Sequence, residues 1–200
     1  QVTRTDMKTG EVEVLVTSYE GKRLNSPNDL TIDREGRIYF TDPRYGSQDG
    51  RELETEDVYM IDAGGEVRRV LTKPDVHKPN GIGLSPDGKT LFVADTISEP
   101  VRQARVMKFD VRADGTLANG REHYSFGEGR GIDGMAIDSE GNIYITTAAV
   151  QIYSPRGQKL GTIAGPEGPA NVCFGGPGRS TLFITARTSL YSIKMKVHGQ

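Results

Sequence analysis

Four oxygen-bearing side chains recur at one position of a repeated sequence pattern, and together they could bind a hard metal ion. They are Asn28, Asn80, Asp133 and Asn171, and each stands before a short apolar run, a turn and a second apolar run. Asn80 follows Asn28 by 52 residues and precedes Asp133 by 53. Amide and carboxylate oxygens suit Ca²⁺, Mg²⁺ or Mn²⁺. The alternative is a ring of hydrogen-bonded polar caps.

The repeated unit predicts the elements that position these side chains. Self-similarity at this spacing is typical of solenoids, propellers and arrays. Four-stranded antiparallel units repeated around an axis are propeller blades, whereas a sandwich or barrel requires no four-strand period. No segment shows a sustained helical period, so we expect no substantial helix. Strands are predicted in a hairpin within residues 2–16 and then near residues 28–33, 37–42, 57–62, 66–72, 81–85, 90–95, 105–111, 121–126, 143–147, 150–153, 158–163, 181–186 and 189–196.

In a propeller the innermost strand of each blade runs beside the central channel. The starts of those strands converge on one mouth, so the four polar side chains are predicted to meet there. Asp133 is the only carboxylate among them. It could serve as a metal ligand and as a proton acceptor, whereas Asn28 and Asn80 could orient substrate or water without titrating. Strand alternation predicts that Asp29 turns away from the channel.

Three segments resemble the SMP-30/gluconolactonase family. They are residues 26–30 (Ser-Pro-Asn-Asp-Leu), residues 79–88 with Pro-Asn-Gly and Ser-Pro-Asp-Gly, and residues 132–141 with Ile-Asp-Gly-Met and Asp-Ser-Glu-Gly. The resemblance extends from about residue 1 to residue 190, and the motifs occur in the family's order. It implies a six-bladed β-propeller that hydrolyses small sugar lactones with one divalent metal ion in its channel.

The resemblance also implies residue roles. Asn80 and Asp133 correspond to metal ligands, Asp133 also to the general base, and Asn28 to the channel asparagine that contacts substrate or a metal-bound water. Asn171 has no functional counterpart and is expected to be structural. The implied ion is foremost Ca²⁺, with Zn²⁺, Mg²⁺ or Mn²⁺ as alternatives.

One family feature is absent from these 200 residues. The family's third metal ligand is a glutamate on the innermost strand of the first blade, and Glu11 and Glu13 do not replace it because their hairpin has an outer-strand pattern. We therefore expect an all-β chain that forms one domain over residues 1–200, with about four and a half of six blades. An upstream segment would complete the ring and supply the glutamate.

Other residues have two interpretations each. Arg44 and Tyr45 follow a second strand and either line a substrate pocket or pack on their own loop. His77 either lines the mouth or belongs to a surface loop. The polar loop at residues 47–56 is predicted to lie on the same rim as residues 97–103. Its acidic run at residues 52–57 is either solvated or part of a substrate rim. Cys173, between two apolar residues, is predicted to be a small core residue.

Composition limits the kinds of binding partner that are expected, but it does not determine the cellular compartment. The formal charge of −2 favours neither a nucleic acid nor a membrane, and no apolar run reaches the roughly 18 residues of a membrane span. A single cysteine leaves cytoplasmic, periplasmic and secreted locations possible. The expected partner is a small lactone. The competing function is a non-catalytic propeller that binds a ligand or protein, which would not need a carboxylate at position 133.

Overall fold

The computed structural model describes residues 1–98, 100–129 and 131–200. Within these ranges it contains β-strands and one short 3₁₀ helix, Pro177–Arg179, which confirms the all-β expectation. The strands are β1 (Val2–Thr5), β2 (Val12–Val16), β3 (Ser18–Tyr19), β4 (Lys22–Arg23), β5 (Leu30–Ile32), β6 (Ile38–Asp42), β7 (Asp57–Ile61), β8 (Val67–Leu71), β9 (Pro79–Leu84), β10 (Thr90–Ile97), β11 (Gln103–Val111), β12 (Leu117–Glu128), β13 (Met135–Ile137), β14 (Ile143–Thr146), β15 (Val150–Tyr153), β16 (Lys159–Ile163), β17 (Asn171–Gly175), β18 (Thr181–Ala186) and β19 (Ser189–Lys194).

Four successive antiparallel sheets form propeller blades. Strands β5 to β8, β9 to β12 and β13 to β16 make four-stranded sheets in chain order, and β17 to β19 make a three-stranded sheet. The innermost strands contact one another in the same order: β5 meets β9, β9 meets β13, and β13 meets β17. The predicted four-strand repeat and the opening hairpin, β1 with β2, are therefore confirmed.

A repeated polar turn connects the strands within a blade. Asp33 accepts hydrogen bonds from the backbone N–H groups of Glu35 and Arg37 at 3.0 and 2.9 Å. Asp138 holds the corresponding turn of the third blade in the same way. Each turn ends in a glycine with φ near +80°, Gly36 or Gly141, a conformation that side chains with a Cβ disfavour. This chemistry explains why a carboxylate three residues before glycine recurs along the chain.

Apolar side chains fill the spaces between neighbouring blades. Strand β10 shows why its sequence is a continuous apolar run: Phe92 faces the third blade and Val93 faces the first. Both side chains are buried, as are Tyr39 and Ile145, which pack against the same strand from opposite sides. Burial of each such side chain contributes about 1.5–3 kcal/mol to the free energy of unfolding. Blade packing thus fixes where the inner strands stand.

One sequence prediction about exposure is wrong, and a second holds only in part, since Glu52 and Glu54 are exposed. Cys173 is exposed, because Val172 and Phe174 pack into the cluster shared with the third blade and Cys173 points to the opposite face of β17. The acidic run is only partly solvated. The side chain of Glu56 is 13% exposed and that of Asp57 is fully buried, because Arg51, Lys78 and Arg69 lie close enough to offset their charges.

Candidate active site

Backbone hydrogen bonds between inner strands bring Asn80 and Asp133 together. The N–H of Gly81 donates to the carbonyl of Asp133 at 3.1 Å, and the N–H of Gly134 donates to the carbonyl of Ala170 at 2.9 Å. This approach requires glycine, because a Cβ at position 81 would lie 2.5 Å from the Asp133 carbonyl oxygen. The residues next to these glycines, Asn80 and Asp133, therefore face the same space.

The amide of Asn80 is held in one orientation. Its Nδ2 donates to the Tyr45 hydroxyl at 2.8 Å and to the carbonyl of Ile132 at 3.4 Å. A carbonyl only accepts, so the amino group must face Ile132. The Oδ1 atom is buried and has no hydrogen-bond partner among the described residues. An unsatisfied buried acceptor costs about 1–3 kcal/mol, so this oxygen is suited to a ligand that the protein does not supply.

Asp133 places a carboxylate beside the Asn80 amide, with which it hydrogen-bonds. Its backbone N–H donates to Thr146 at 3.1 Å, which anchors the start of the third inner strand. Burial raises the pKa of Asp133, and the neighbouring Asn80 amide partly offsets this rise. Both side chains line one cavity of about 550 Å³, a size typical of small-molecule sites. The cavity is also lined by Tyr45, Lys78, Thr96, Ser98, Arg102, Ile132, Thr146, Thr147 and Pro169.

The other two residues of the predicted ring lie elsewhere. Asn28 is exposed, and its backbone N–H donates to Thr41 at 2.9 Å. It does not line the cavity within the described part of the chain. Asn171 accepts the N–H of Val172 through Oδ1 at 2.8 Å and lines a second cavity, of about 510 Å³, further along the channel. The structure therefore brings together Asn80 and Asp133.

The prediction that Asp29 turns away from the channel is wrong. Its Oδ2 accepts the N–H of Ile82 on the next inner strand at 3.3 Å, and its side chain hydrogen-bonds with Asn171. Asp29 precedes the first paired residue, Leu30, so strand alternation does not apply to it. Burial raises the pKa of Asp29 to about 6, and the charge of Asp133 adds to the rise.

Arg44 and Tyr45 have different places. The Arg44 guanidinium donates to the carbonyls of Ser47 and Asp49, both at 2.8 Å, and so holds its own loop together. Tyr45 lines the cavity, and the Lys78 ammonium lies 4.6 Å from the centre of its ring. Burial raises the pKa of Tyr45 to about 12. Arg44 therefore packs on its own loop, whereas Tyr45 lines the pocket.

His77 lies beside the cavity wall rather than in it. Its Nδ1 is 3.3 Å from Arg105 Nη2 and 3.7 Å from Asp95 Oδ2. The loop at residues 97–103 contributes Ser98 and Arg102 to the cavity, on the same rim as Tyr45, as predicted. Glu99 of that loop lies outside the described residues.

Two supporting carboxylates escaped the sequence analysis. Asp95 is fully buried and accepts the N–H groups of His77 and Lys78 through Oδ1, both at 2.8 Å, while Oδ2 accepts from Arg105 at 2.9 Å. Asp42 holds the approach to Asn28 in the same way. Both aspartates lie at or near the end of the second strand of a blade, and that shared repeat position was the signal that could have identified them.

The described residues contain neither a ready-made metal cluster nor a membrane-spanning helix. Within residues 1–98, 100–129 and 131–200, no three His, Cys, Asp or Glu side chains form a group able to hold a metal ion. Asn80 and Asp133 thus offer one amide and one carboxylate. None of the helical segments in those ranges has the length and apolar content needed to cross a membrane.

Known proteins share this sequence and this arrangement. The signature of the SMP-30/Gluconolactonase/LRE-like region matches residues 1–188. A gluconolactonase from Zymomonas mobilis subsp. mobilis is 34% identical over 214 residues, which cover 99% of this chain and 58% of that protein. A gluconolactonase structure from Xanthomonas campestris superposes with a TM-score of 0.82 at 33% identity, covering 96% of this chain and 64% of that one.

A more distant structure shares the fold. Regucalcin from Agrobacterium tumefaciens, a calcium-binding protein, has a TM-score of 0.75 at 23% identity, covering 99% of this chain and 70% of that one. The chain thus spans about three fifths of the Zymomonas and Xanthomonas gluconolactonases. Because the family signature covers nearly all of its length, the chain belongs to the SMP-30/gluconolactonase/LRE-like family.

Proposed function

We propose that this chain is part of a six-bladed, divalent-metal-dependent hydrolase of small sugar lactones. The gluconolactonases of Zymomonas and Xanthomonas, both more than 30% identical to it, support the reaction class. The observation that carries the proposal is that Asn80, whose buried Oδ1 has no partner among the described residues, and Asp133 adjoin each other and line one cavity.

The residues present fit a hard divalent cation. An amide oxygen and a carboxylate are ligands that Ca²⁺ and similar ions accept, and a cation would satisfy the Asn80 oxygen. When bound, such an ion polarises an ester carbonyl and lowers the pKa of water towards neutrality. Ca²⁺ is the ion we favour, because it tolerates flexible coordination by six to eight oxygens.

The side chains of this protein have distinct tasks in that reaction. Tyr45 and the Ile132 carbonyl hold the amino group of Asn80, which leaves its Oδ1 without a partner among the described residues. Asp133 accepts the proton of the water that attacks the lactone carbonyl, and partial burial raises its pKa and thus its basicity. Tyr45 lines the cavity and orients the substrate, while Arg44 supports Tyr45 by bracing their shared loop.

The share of a relative that this chain covers supports the proposed ring of six blades. It covers 64% of the Xanthomonas gluconolactonase chain, and four blades are about two thirds of six. In the complete protein, one further carboxylate ligand would come from outside residues 1–200. Two ligands alone rarely hold a hard cation in water.

The test combines calcium binding with lactone hydrolysis by the complete protein. We expect Ca²⁺ to bind and glucono-1,5-lactone to be hydrolysed in a chelator-sensitive way. Asp133→Asn should lower kcat by at least about 100-fold, because it keeps an oxygen ligand but removes the base. Asp49→Asn, which removes an exposed carboxylate from the rim, is the control and should retain the parent rate. Parent-like turnover by Asp133→Asn would show that Asp133 is not the base.

A further inference from the structure

Two cations line the cavity that contains Asn80 and Asp133. They are Lys78 and Arg102, and neither is needed to bind a metal ion or to accept a proton. A neutral sugar lactone offers hydroxyl groups, for which the hydroxyls of Ser98 and Thr147 in the same cavity would suffice. The two cations therefore require an explanation of their own.

Arg102 is placed close to Asp133 by the backbone around it. Its carbonyl accepts the N–H of Gly129 at 2.8 Å, which ties the two segments together. Its Nη2 lies 2.6 Å from the position that a Cβ on Gly131 would occupy, so the guanidinium packs directly over that glycine. Gly131 precedes Asp133 by two residues. The Arg102 side chain has no ion-pair partner in the described part of the chain.

Lys78 is only partly neutralised. Its ammonium is 3.8 Å from Glu56 Oε2, but the other oxygen of Glu56 is 3.7 Å from Arg51 Nη1. One carboxylate is thus shared by two cations. The Lys78 side chain is 24% exposed, and the face of the Tyr45 ring holds it within the cavity.

This charge pattern favours a substrate with a negative group. A neutral lactone filling the cavity would replace water around Arg102 and Lys78 with hydroxyl oxygens only, and would offer no charge to pair with either cation. A carboxylate or phosphate would pair with the planar Arg102 guanidinium through two hydrogen bonds and with Lys78 as a point charge. Arg102 is exposed and Lys78 is partly buried, so the preference for an anion rests on charge pairing that a neutral lactone does not offer.

We propose that the cavity selects sugar lactones that carry an anionic group, which Arg102 and Lys78 bind while Asp133 faces the lactone carbonyl. This substrate class rests on the proposed lactonase function, whereas the anion site itself does not. The anion is recognised by its charge and its planar or tetrahedral oxygens. Both a carboxylate and a phosphate ester meet that description.

The first experiment compares matched lactones on the complete protein. The parent should hydrolyse 6-phosphoglucono-1,5-lactone or a glucarolactone with kcat/KM at least about 10-fold above that for glucono-1,5-lactone. Arg102→Gln should lower kcat/KM for the anionic lactones by about 10- to 100-fold, chiefly through KM, and should change the neutral value less than about 3-fold. Arg156→Gln, which removes an exposed arginine far from the cavity, is the matched control. Equal losses for neutral and anionic lactones would overturn the proposal.

A second experiment keeps the anion site testable if no lactone is hydrolysed. Calorimetry with glucitol 6-phosphate, gluconate and glucitol measures binding without turnover. Glucitol 6-phosphate or gluconate should bind more tightly than glucitol, and Arg102→Gln should abolish that difference. This result would support the anion site and show whether it prefers a phosphate or a carboxylate. It would do so even if the lactonase proposal failed. Binding of all three with equal affinity, or of none, would overturn the anion site.

Discussion

Gly81 is the position at which a single methyl group should separate the two proposed metal ligands. In Gly81→Ala the new Cβ would lie 2.5 Å from the Asp133 carbonyl oxygen and 2.9 Å from both the Gly134 carbonyl carbon and the Met135 nitrogen. Ordinary contacts between carbon atoms are about 3.5–4.0 Å. All three neighbours are backbone atoms that cannot rotate away, so the second and third blades must part by about 1 Å.

The cost has two parts. Overpacking of this kind costs about 1–3 kcal/mol, and the hydrogen bond from Gly81 N–H to the Asp133 carbonyl contributes about 1 kcal/mol that would be lost. We therefore expect the free energy of unfolding to fall by about 2–4 kcal/mol. Because Asn80 and Asp133 adjoin the contact, their separation should change too. A shift of about 1 Å at a reacting group can cost about 100-fold in rate.

The assay is urea unfolding followed by tyrosine fluorescence, since the chain has 8 tyrosines and no tryptophan, together with calcium calorimetry. Gly83→Ala on the same strand is the matched control. Its Cβ would meet the Cδ1 of Ile137 at 3.2 Å, the movable end of a side chain, so the loss should stay below about 1 kcal/mol. If Gly81→Ala matched Gly83→Ala in stability and calcium affinity, the close contact between inner strands would not position the site.

Two further predictions concern groups around the cavity. Tyr45→Phe removes the acceptor that holds Asn80 Nδ2. Calcium affinity measured by calorimetry should therefore fall by about 10- to 100-fold, with little change in stability. Unchanged affinity would show that the Ile132 carbonyl alone orients the amide. Asp29 has a pKa of about 6 in the folded protein against 3.8 unfolded, so the folded state binds more protons between these values. The free energy of unfolding should therefore fall as pH rises from about 4 to about 6. Urea titrations at a series of pH values measure this slope, and Asp29→Asn should flatten it. An unchanged slope would contradict the assigned burial of Asp29.

Local sequence was sufficient to predict the strands and turns of this protein. The carboxylate-to-glycine turns, such as Asp33 to Gly36, close through their own hydrogen bonds and need no distant partner. Apolar runs between them therefore predicted four blades in the order observed. The position shared by Asn80 and Asp133, at the start of an inner strand, also followed from the repeat alone.

Side-chain directions at the channel were decided by contacts between blades. The orientation of Asn80 depends on Tyr45, 35 residues away, and Asp29 reaches Ile82 across 53 residues. A repeat position determines where the backbone stands, but a side chain outside the paired part of a strand turns towards whichever distant group satisfies it.

Exposure likewise depended on the neighbouring blade. Cys173 has the flanking apolar residues of a core position, yet it is exposed because its side chain points to the face of β17 opposite to the buried Val172. The sequence places Asp57 at the end of a charged run. It is nevertheless buried, because Thr55 and Arg69 hydrogen-bond to it from the adjoining segments. The sequence alone determined the repeat and the backbone sites of the ligands. The tertiary structure decided which side chains share the cavity, because that depends on packing between blades that are distant in sequence.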